Sequence, residues 1–209
     1  MSPQDYCKQK TKESNSSFLF AFMFLNQKKR NALTALYAFC REVDDIADEY
    51  KEYDIRKSKL DCWRSEIDCL YNNNPQHPVT IALKPYISDY DLDKACFIEI
   101  IDGMEMDLNL NRYENFKQLQ LYCYRVASTV GILSAQIFGY KDIKTLKYAH
   151  NLGIALQLTN IIRDIGEDAR RGRIYIPLDE LKKFNITEAE ILNNINGKKI
   201  KELVEHQTK

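Results

Sequence analysis

The segment LGIALQLTNIIRDIGEDARRGRIYIP, residues 152–177, constrains the fold more than any other part of the chain. At roughly 100° per residue on a helical wheel, one set of positions falls within about 100° of arc. This set consists of Gly153, Gln157, Asn160, Asp164, Glu167 and Asp168. The adjoining face carries Ile154, Leu158, Ile161, Ile162 and Ile165. The pattern predicts a long helix with an apolar stripe beside a stripe of carboxylate and amide oxygens.

A second acidic stripe lies in ALYAFCREVDDIADEY, residues 35–50. Spacings of four, three and four place Tyr37, Arg41, Asp44 and Asp48 on one helical face. Asp45 and Glu49 fall to one side of that face. Apolar residues alternate with these acids, so we expect this helix also to be largely covered by neighbouring elements.

The whole chain has the composition of an all-α protein. It has 209 residues, of which 44% are hydrophobic, with only seven glycines and five prolines and no sustained strand-like alternation. We predict one domain over residues 1–209, with residues 1–15 flexible. The predicted helices run approximately over residues 16–25, 27–50, 55–72, 78–88, 91–108, 115–139, 142–169 and 187–206.

Charge and residue counts exclude several classes of protein. Thirty basic residues balance thirty acidic residues, which argues against nucleic-acid binding. Three histidines and no C-x-x-C pair argue against a zinc site. The polar N-terminus and the short apolar runs predict a cytoplasmic protein. We interpret the longest apolar run, FLFAFMFL, as the start of a core helix and not as a membrane contact. A third hypothesis is that this run lines an apolar ligand pocket.

The two acidic stripes admit two interpretations. Acids on helices usually form a solvated face, where like charges four residues apart cost only tenths of a kcal/mol. Two partly buried stripes, however, would carry more negative charge than nearby arginines can offset. Magnesium prefers hard oxygen ligands and often shares its shell with phosphate. The stripes therefore predict a magnesium site for a diphosphate, with RRGR, residues 170–173, as either a phosphate contact or a solvated loop.

Four segments resemble the squalene/phytoene synthase family in sequence and in order. They are SSFLFAF, ALYAFCREVDDIADE, YCYRVASTVGILSAQIFG and LGIALQLTNIIRDIGEDARRGRIYIP. The resemblance extends from about residue 14 to about residue 184 and implies an isoprenoid synthase fold, a helical bundle around a central cavity. Family enzymes usually continue for several tens of residues beyond RIYIP, so the resemblance implies that the last helices of the bundle are missing here.

The resemblance also assigns roles to residues. Its two acidic motifs match Asp44 and Asp48, and Asn160, Asp164 and Asp168, which would bind magnesium. The implied catalytic set is Tyr37, Arg41, Asp44, Asp48, Arg163, Asp164 and Asp168. The implied substrate-binding set is Ser17, Phe18, Tyr122, Val126, Ala127, Val130, Gly131, Gln157, Arg173 and Tyr175. Gly131 weakens a helix and requires a reason, either a close helix crossing or a slot for a prenyl chain, and the resemblance favours the slot.

The activity that the resemblance implies is a head-to-head condensation of two prenyl diphosphates. Our first reading is the joining of two farnesyl diphosphates to presqualene diphosphate or a squalene-type product. The alternative is a phytoene synthase that uses geranylgeranyl diphosphate. The implied cofactor is Mg²⁺, with Mn²⁺ as an alternative ion, and NADPH is needed only if the reaction proceeds to squalene. The lipophilic product is compatible with peripheral contact with a membrane, and the sequence does not indicate an oligomeric state.

A non-catalytic reading also follows from the resemblance. Some relatives keep the fold but act as assembly or interaction proteins, and these tend to lose the aspartates. This chain keeps all five ligands of the two motifs, which favours chemistry. The expected shortening at KKIKELVEHQTK leaves open a truncated, non-catalytic member.

Overall fold

The computed structural model describes residues 1–13, 21–49, 52–193 and 197–207, and within these ranges it contains helices and no strand. The N-terminal half holds α1 (Pro3–Glu13), α2 (Gln27–Glu49), α3 (Tyr53–Tyr71), α4 (Pro78–Asp89) and α5 (Lys94–Asn109). The C-terminal half begins with α6 (Phe116–Cys123), a π-helical turn (Tyr124–Ser128), α7 (Thr129–Phe138) and α8 (Lys144–Arg170). It ends with α9 (Leu178–Lys183), α10 (Glu188–Leu192) and α11 (Lys198–Gln207). The all-α prediction is confirmed.

Local sequence signals set several helix ends. The side-chain oxygen of Asn26 accepts from the Lys29 amide at 3.0 Å and caps α2. Gly139 follows α7 with a φ of 75°, a left-handed conformation that suits glycine. Thr187 and Glu190 form the reciprocal capping box at the start of α10.

The N-terminal segment departs from the expectation that residues 1–15 are flexible. Residues 3–13 form α1, which packs against α2 and α4 and buries Cys7 and Thr11. The Lys10 ammonium lies 2.8 Å from the Asp45 carboxylate, and the Tyr6 hydroxyl donates to Glu42 at 2.7 Å. Polar contacts with α2, which the local sequence does not reveal, hold this helix in place.

Two further predicted helices differ from the structure. Half of the predicted helix at 16–25, residues 16–20, lies outside the described residues, and helix is present at residues 21–22 but not at 23–25. The predicted helix at 187–206 is interrupted, because α10 ends at Leu192 and α11 begins only after the non-helical Gly197. The short helix α9 was not predicted. None of the described helices has the length and apolarity needed to cross a bilayer.

The hydrophobic core consists of two clusters. In the first, the ring of Phe39 packs edge-on against Trp63 and Phe97, with centroid distances of 5.5 and 5.2 Å. The second cluster is built around three tyrosines and the isoleucines that follow α8. The partly buried Val126, in the π-helical turn, packs against both clusters. The turn therefore lies at the junction of the two halves of the core.

Glycines on both sides let neighbouring helices approach this turn. A Cβ atom on Gly153 of α8 would lie 2.6 Å from Ser128 Cα and 2.8 Å from the Ala127 carbonyl oxygen. A Cβ atom on Gly103 of α5 would lie 2.6 Å from a methyl carbon of Val126. The turn is thus held between α5 and α8, and α8 carries one of the two acidic stripes.

Candidate functional site

On α2, an arginine forms ion pairs with the acids of the first stripe. The Arg41 guanidinium contacts the carboxylates of Asp44 and Asp45, each at 2.6 Å. Asp45, which lies to one side of the stripe, also pairs with Lys10 of α1. Asp44 remains 40% exposed at its side chain. The side chain of Asp48 lies outside the described part of the structure.

On α8, the second stripe is half-buried. Both carboxylate oxygens of Asp164 accept from Arg163, at 2.7 and 2.6 Å, and this holds the pKa of Asp164 below its usual value. Burial, reinforced by the charge of Asp164, raises the pKa of Asp168 to about 6. Asn160 donates to Gln157 across a long 3.5 Å contact. The stripe therefore contains one carboxylate that is paired with an arginine and one whose ionised form is destabilised by burial and by a neighbouring negative charge.

In the RRGR segment, one arginine is exposed to solvent and another is half-buried and acts on the acids of the second stripe. Arg171 is exposed and pairs with Glu167 at 2.9 Å. Arg173 is half-buried, and its positive charge offsets part of the rise in pKa that burial causes at Asp168 and Asp107. Arg173 is therefore the residue of this segment that acts on both acids, and its contact with a phosphate stays a prediction.

The chain after α8 is held by the loop that precedes α6. The Ile174 amide donates to the Asn111 carbonyl at 3.0 Å, and the Leu178 amide donates to the Tyr113 carbonyl at 2.8 Å. Arg112 donates to the carbonyl of Gly172 at 2.7 Å. These bonds fix the segment that carries Arg173 and Tyr175.

Asp107 of α5 is a buried acid that the sequence analysis missed. Its carboxylate accepts from the Tyr175 hydroxyl at 2.8 Å and from the Tyr122 hydroxyl at 2.9 Å. Burial raises its pKa to about 6, and the charge of Asp44 adds to this increase. Asp107 thus lies within electrostatic reach of the first stripe through Asp44 and shares Arg173 with the second.

The sequence did contain a signal for Asp107. Within α5, Cys96, Ile100, Gly103 and Asp107 are spaced by four, three and four residues, which places them on one helical face. All four are buried. A buried acid on an otherwise apolar helix face is unusual and marks a candidate functional group.

Three tyrosine rings pack beside this carboxylate. The centroid of Tyr122 lies 5.2 Å from that of Tyr175, and the Tyr113 centroid lies 5.6 Å from each of them. The Tyr113 hydroxyl has no hydrogen-bond partner among the described residues. Only two of the three hydroxyls are therefore held by Asp107.

The other predicted site residues lie mostly around the π-helical turn. Val126 and Val130 are partly buried and pack on the first core cluster. The backbone of Ala127 meets Gly153, and a Cβ atom on Gly131 would lie 2.8 Å from the Ala149 carbonyl oxygen. This close crossing of two helices explains why a glycine is present at position 131. Contact of Gly131 with a prenyl chain stays a prediction. Tyr37 lies half-buried on α2, and Ser17 and Phe18 lie outside the described residues.

The donor set suits a divalent cation by its chemistry. Carboxylates one helical turn apart, with a neutral amide oxygen beside them, match the ligands that magnesium prefers. Burial first and the charge of Asp164 second raise the pKa of Asp168, and a bound cation would stabilise its ionised form against both effects. Within the described residues, no three acidic, histidine or cysteine side chains are grouped closely enough to hold an ion. Arg41 and Arg163 occupy the oxygens of Asp44 and Asp164, so ion binding would require these arginines to move.

Comparison with known proteins places this arrangement in a family. The pattern of the family described as squalene/phytoene synthase matches residues 11–209. The chain belongs to the squalene/phytoene synthase family. It is 38% identical to a phytoene synthase of Arthrospira platensis over 216 residues, which cover 97% of this chain and 70% of that protein. It is 37% identical to a 15-cis-phytoene synthase of Synechococcus elongatus over 90% of this chain and 65% of that protein.

Solved structures agree with the predicted isoprenoid synthase fold. The squalene synthase HpnC from Alicyclobacillus acidocaldarius superposes with a TM-score of 0.90 at 27% identity, over 98% of this chain and 77% of that one. A dehydrosqualene synthase in complex with a ligand gives a TM-score of 0.90 at 29% identity, over 98% and 71%. This family member therefore spans about two thirds to three quarters of these four proteins.

Proposed function

We propose that this protein catalyses the magnesium-dependent head-to-head condensation of two geranylgeranyl diphosphates, a phytoene synthase reaction. The observation that carries this proposal is the pair of acidic stripes on α2 and α8, each with an arginine paired to one of its aspartates, in a chain of this family. The site has the charge pattern that a diphosphate bound with a cation requires: carboxylates for the ion and arginines for the phosphate oxygens.

The choice of substrate rests on sequence similarity. Relatives at 37–38% identity are named phytoene synthases, whereas the squalene and dehydrosqualene synthases of known structure are 27–29% identical. This difference favours geranylgeranyl diphosphate over farnesyl diphosphate, the first reading of the sequence. The backbone at Gly131 and Gly153 is close-packed, so side chains elsewhere in the protein would set the length of the prenyl chain that is accepted.

The residues have separate tasks in this reaction. Arg41, Arg163 and Arg173 would hold diphosphate oxygens and favour departure of the first diphosphate, which leaves an allylic cation. Asp44, Asp48, Asn160, Asp164 and Asp168 would hold magnesium. When bound, the ion supplies positive charge to the leaving diphosphate. The alkene of the second substrate then attacks the cation and a proton is lost, which gives a cyclopropyl product that retains one diphosphate.

The apolar surroundings would protect the cation from water. Ile161 on α8 and Ile174 after it are buried, and they pack with the tyrosine rings in the second core cluster. Aromatic faces stabilise a nearby cation, and exclusion of water prevents its capture as an alcohol. We therefore expect a hydrocarbon precursor in preference to a prenyl alcohol.

Incubation of the purified chain with labelled prenyl diphosphates tests the proposal. With magnesium and geranylgeranyl diphosphate we expect phytoene or its cyclopropyl diphosphate precursor, identified by mass spectrometry. With farnesyl diphosphate at the same concentration we expect at least about tenfold less product, since chain-length differences are worth on the order of 1–3 kcal/mol. A preference for farnesyl diphosphate would support the squalene-type reading, and no product from either would support the non-catalytic reading.

A further inference from the structure

We propose that Asp107 is a positioning residue, which accepts hydrogen bonds from the phenolic hydroxyls of Tyr122 and Tyr175 and so orients their rings and oxygen atoms toward the substrate. This inference rests on the proposed function. It concerns a residue outside both acidic motifs, and it gives the two tyrosines a task other than donation to a diphosphate.

The geometry shows one carboxylate shared by two distant parts of the chain. Asp107 lies in the last turn of α5 and is 7% exposed. The Tyr122 hydroxyl, from α6, donates to Oδ2 at 2.9 Å, and the Tyr175 hydroxyl, from the segment after α8, donates to Oδ1 at 2.8 Å. Each oxygen has its own partner, so the carboxylate fixes both rings at once.

Burial of the Asp107 carboxylate costs desolvation free energy. An apolar side chain of the same size could fill the space without this cost. A buried carboxylate is less stable than an apolar group of the same volume unless its contacts fully replace water. Two phenols and the charge of Arg173 compensate only in part, because the pKa of Asp107 remains raised. The chemical consequence of the carboxylate is therefore the orientation of the two hydroxyls.

Orientation determines what the phenols offer to a ligand. A phenolic proton that is bonded to Asp107 is not available for a diphosphate oxygen. A hydroxyl that donates to a carboxylate is polarised, so its oxygen becomes a better acceptor and its ring carries more electron density. Both properties suit an allylic cation and the proton lost from it. The stacked rings of Tyr122 and Tyr175, 5.2 Å apart, would form one electron-rich surface.

The kinetic test is the substitution Asp107→Asn, assayed with magnesium and geranylgeranyl diphosphate. We expect kcat to fall about 10–100-fold, as for residues that orient a catalytic group, while KM stays within about threefold. Asp102→Asn is the matched control on the same helix, because Asp102 faces Arg64 at 2.6 Å on α3. Tyr113→Phe is the control within the tyrosine cluster, because its hydroxyl makes no bond with the described residues. Both controls should keep the parent kcat.

A second measurement does not depend on activity. Proton NMR of the parent protein should show two slowly exchanging hydroxyl signals, one absent in Tyr122→Phe and the other absent in Tyr175→Phe. If Asp107→Asn does not fold, these signals still test whether Asp107 holds both hydroxyls.

The outcomes separate this inference from the proposed function. A parent kcat in Asp107→Asn, a rise in KM without loss of kcat, or absence of both hydroxyl signals would overturn the role of Asp107. A parent protein that makes no product but shows both signals would contradict the proposed function and leave the shared hydrogen bonds in place.

Discussion

Asp164→Asn is expected to reduce product formation by about 10²–10³-fold, the usual loss when one preorganised electrostatic group is removed from an active site. The substitution keeps the size of the side chain but removes a negative charge from the proposed ion site. Because Asp164 is 35% exposed and its partner Arg163 is 67% exposed, the loss of their ion pair should have little effect on folding. The rate of condensation and the far-ultraviolet circular dichroism of the variant measure the two effects separately.

The matched control for this variant is Asp61→Asn. Asp61 is also an exposed aspartate paired with an arginine, Arg64, at 2.9 Å, but it lies on α3 and not on either acidic stripe. We expect this control to retain the parent rate. Equal rates for Asp164→Asn and the parent protein would refute the assignment of Asp164 to the ion site.

Gly153→Ala is expected to lower the free energy of unfolding by about 2–3 kcal/mol. An added Cβ atom would lie 2.6–2.8 Å from backbone atoms of Ala127 and Ser128. Backbone atoms in a helix cannot rotate away as a side chain can, so α8 would have to shift from the π-helical turn. Urea denaturation, followed by circular dichroism, would measure the change in the midpoint.

Gly197→Ala is the matched control for this change. A Cβ atom on Gly197 would meet no atom of the described residues within 4 Å, and its backbone does not require glycine. Its unfolding midpoint should therefore stay within the range of ordinary surface substitutions, about 0.5 kcal/mol of the parent. If Gly153→Ala unfolds at the parent midpoint, the close approach of α8 to the turn is incorrect.

Periodicity predicted the long helices because each has an apolar face that repeats over many turns. The segment of α1 gave no such pattern, since only Cys7 and Thr11 are buried and its docking depends on ion pairs with α2. The π-helical turn reads as ordinary helix in the sequence. It forms where Gly103 and Gly153 allow two other helices to approach it, and such a contact is visible only in three dimensions.

The candidate site was partly accessible to sequence reasoning. The two stripes could be found because the carboxylates recur once per turn along α2 and α8. Asp107 was overlooked because no second acid recurs on its helix face, although the apolar residues on that face gave a signal. Its partners Tyr122 and Tyr175 are 53 residues apart in sequence, so only the folded chain shows that they share one carboxylate.

The central claim is that α2 and α8 together form one site for a diphosphate bound with magnesium. Calorimetric titration of the protein with inorganic pyrophosphate tests it directly, with and without magnesium, in the parent and in Asp44→Asn and Asp168→Asn. We predict magnesium-dependent binding that weakens at least about tenfold in each variant, because one acid is removed from either side of the site. Binding that is independent of magnesium, or that is lost in only one of the two variants, would contradict a site shared by both helices.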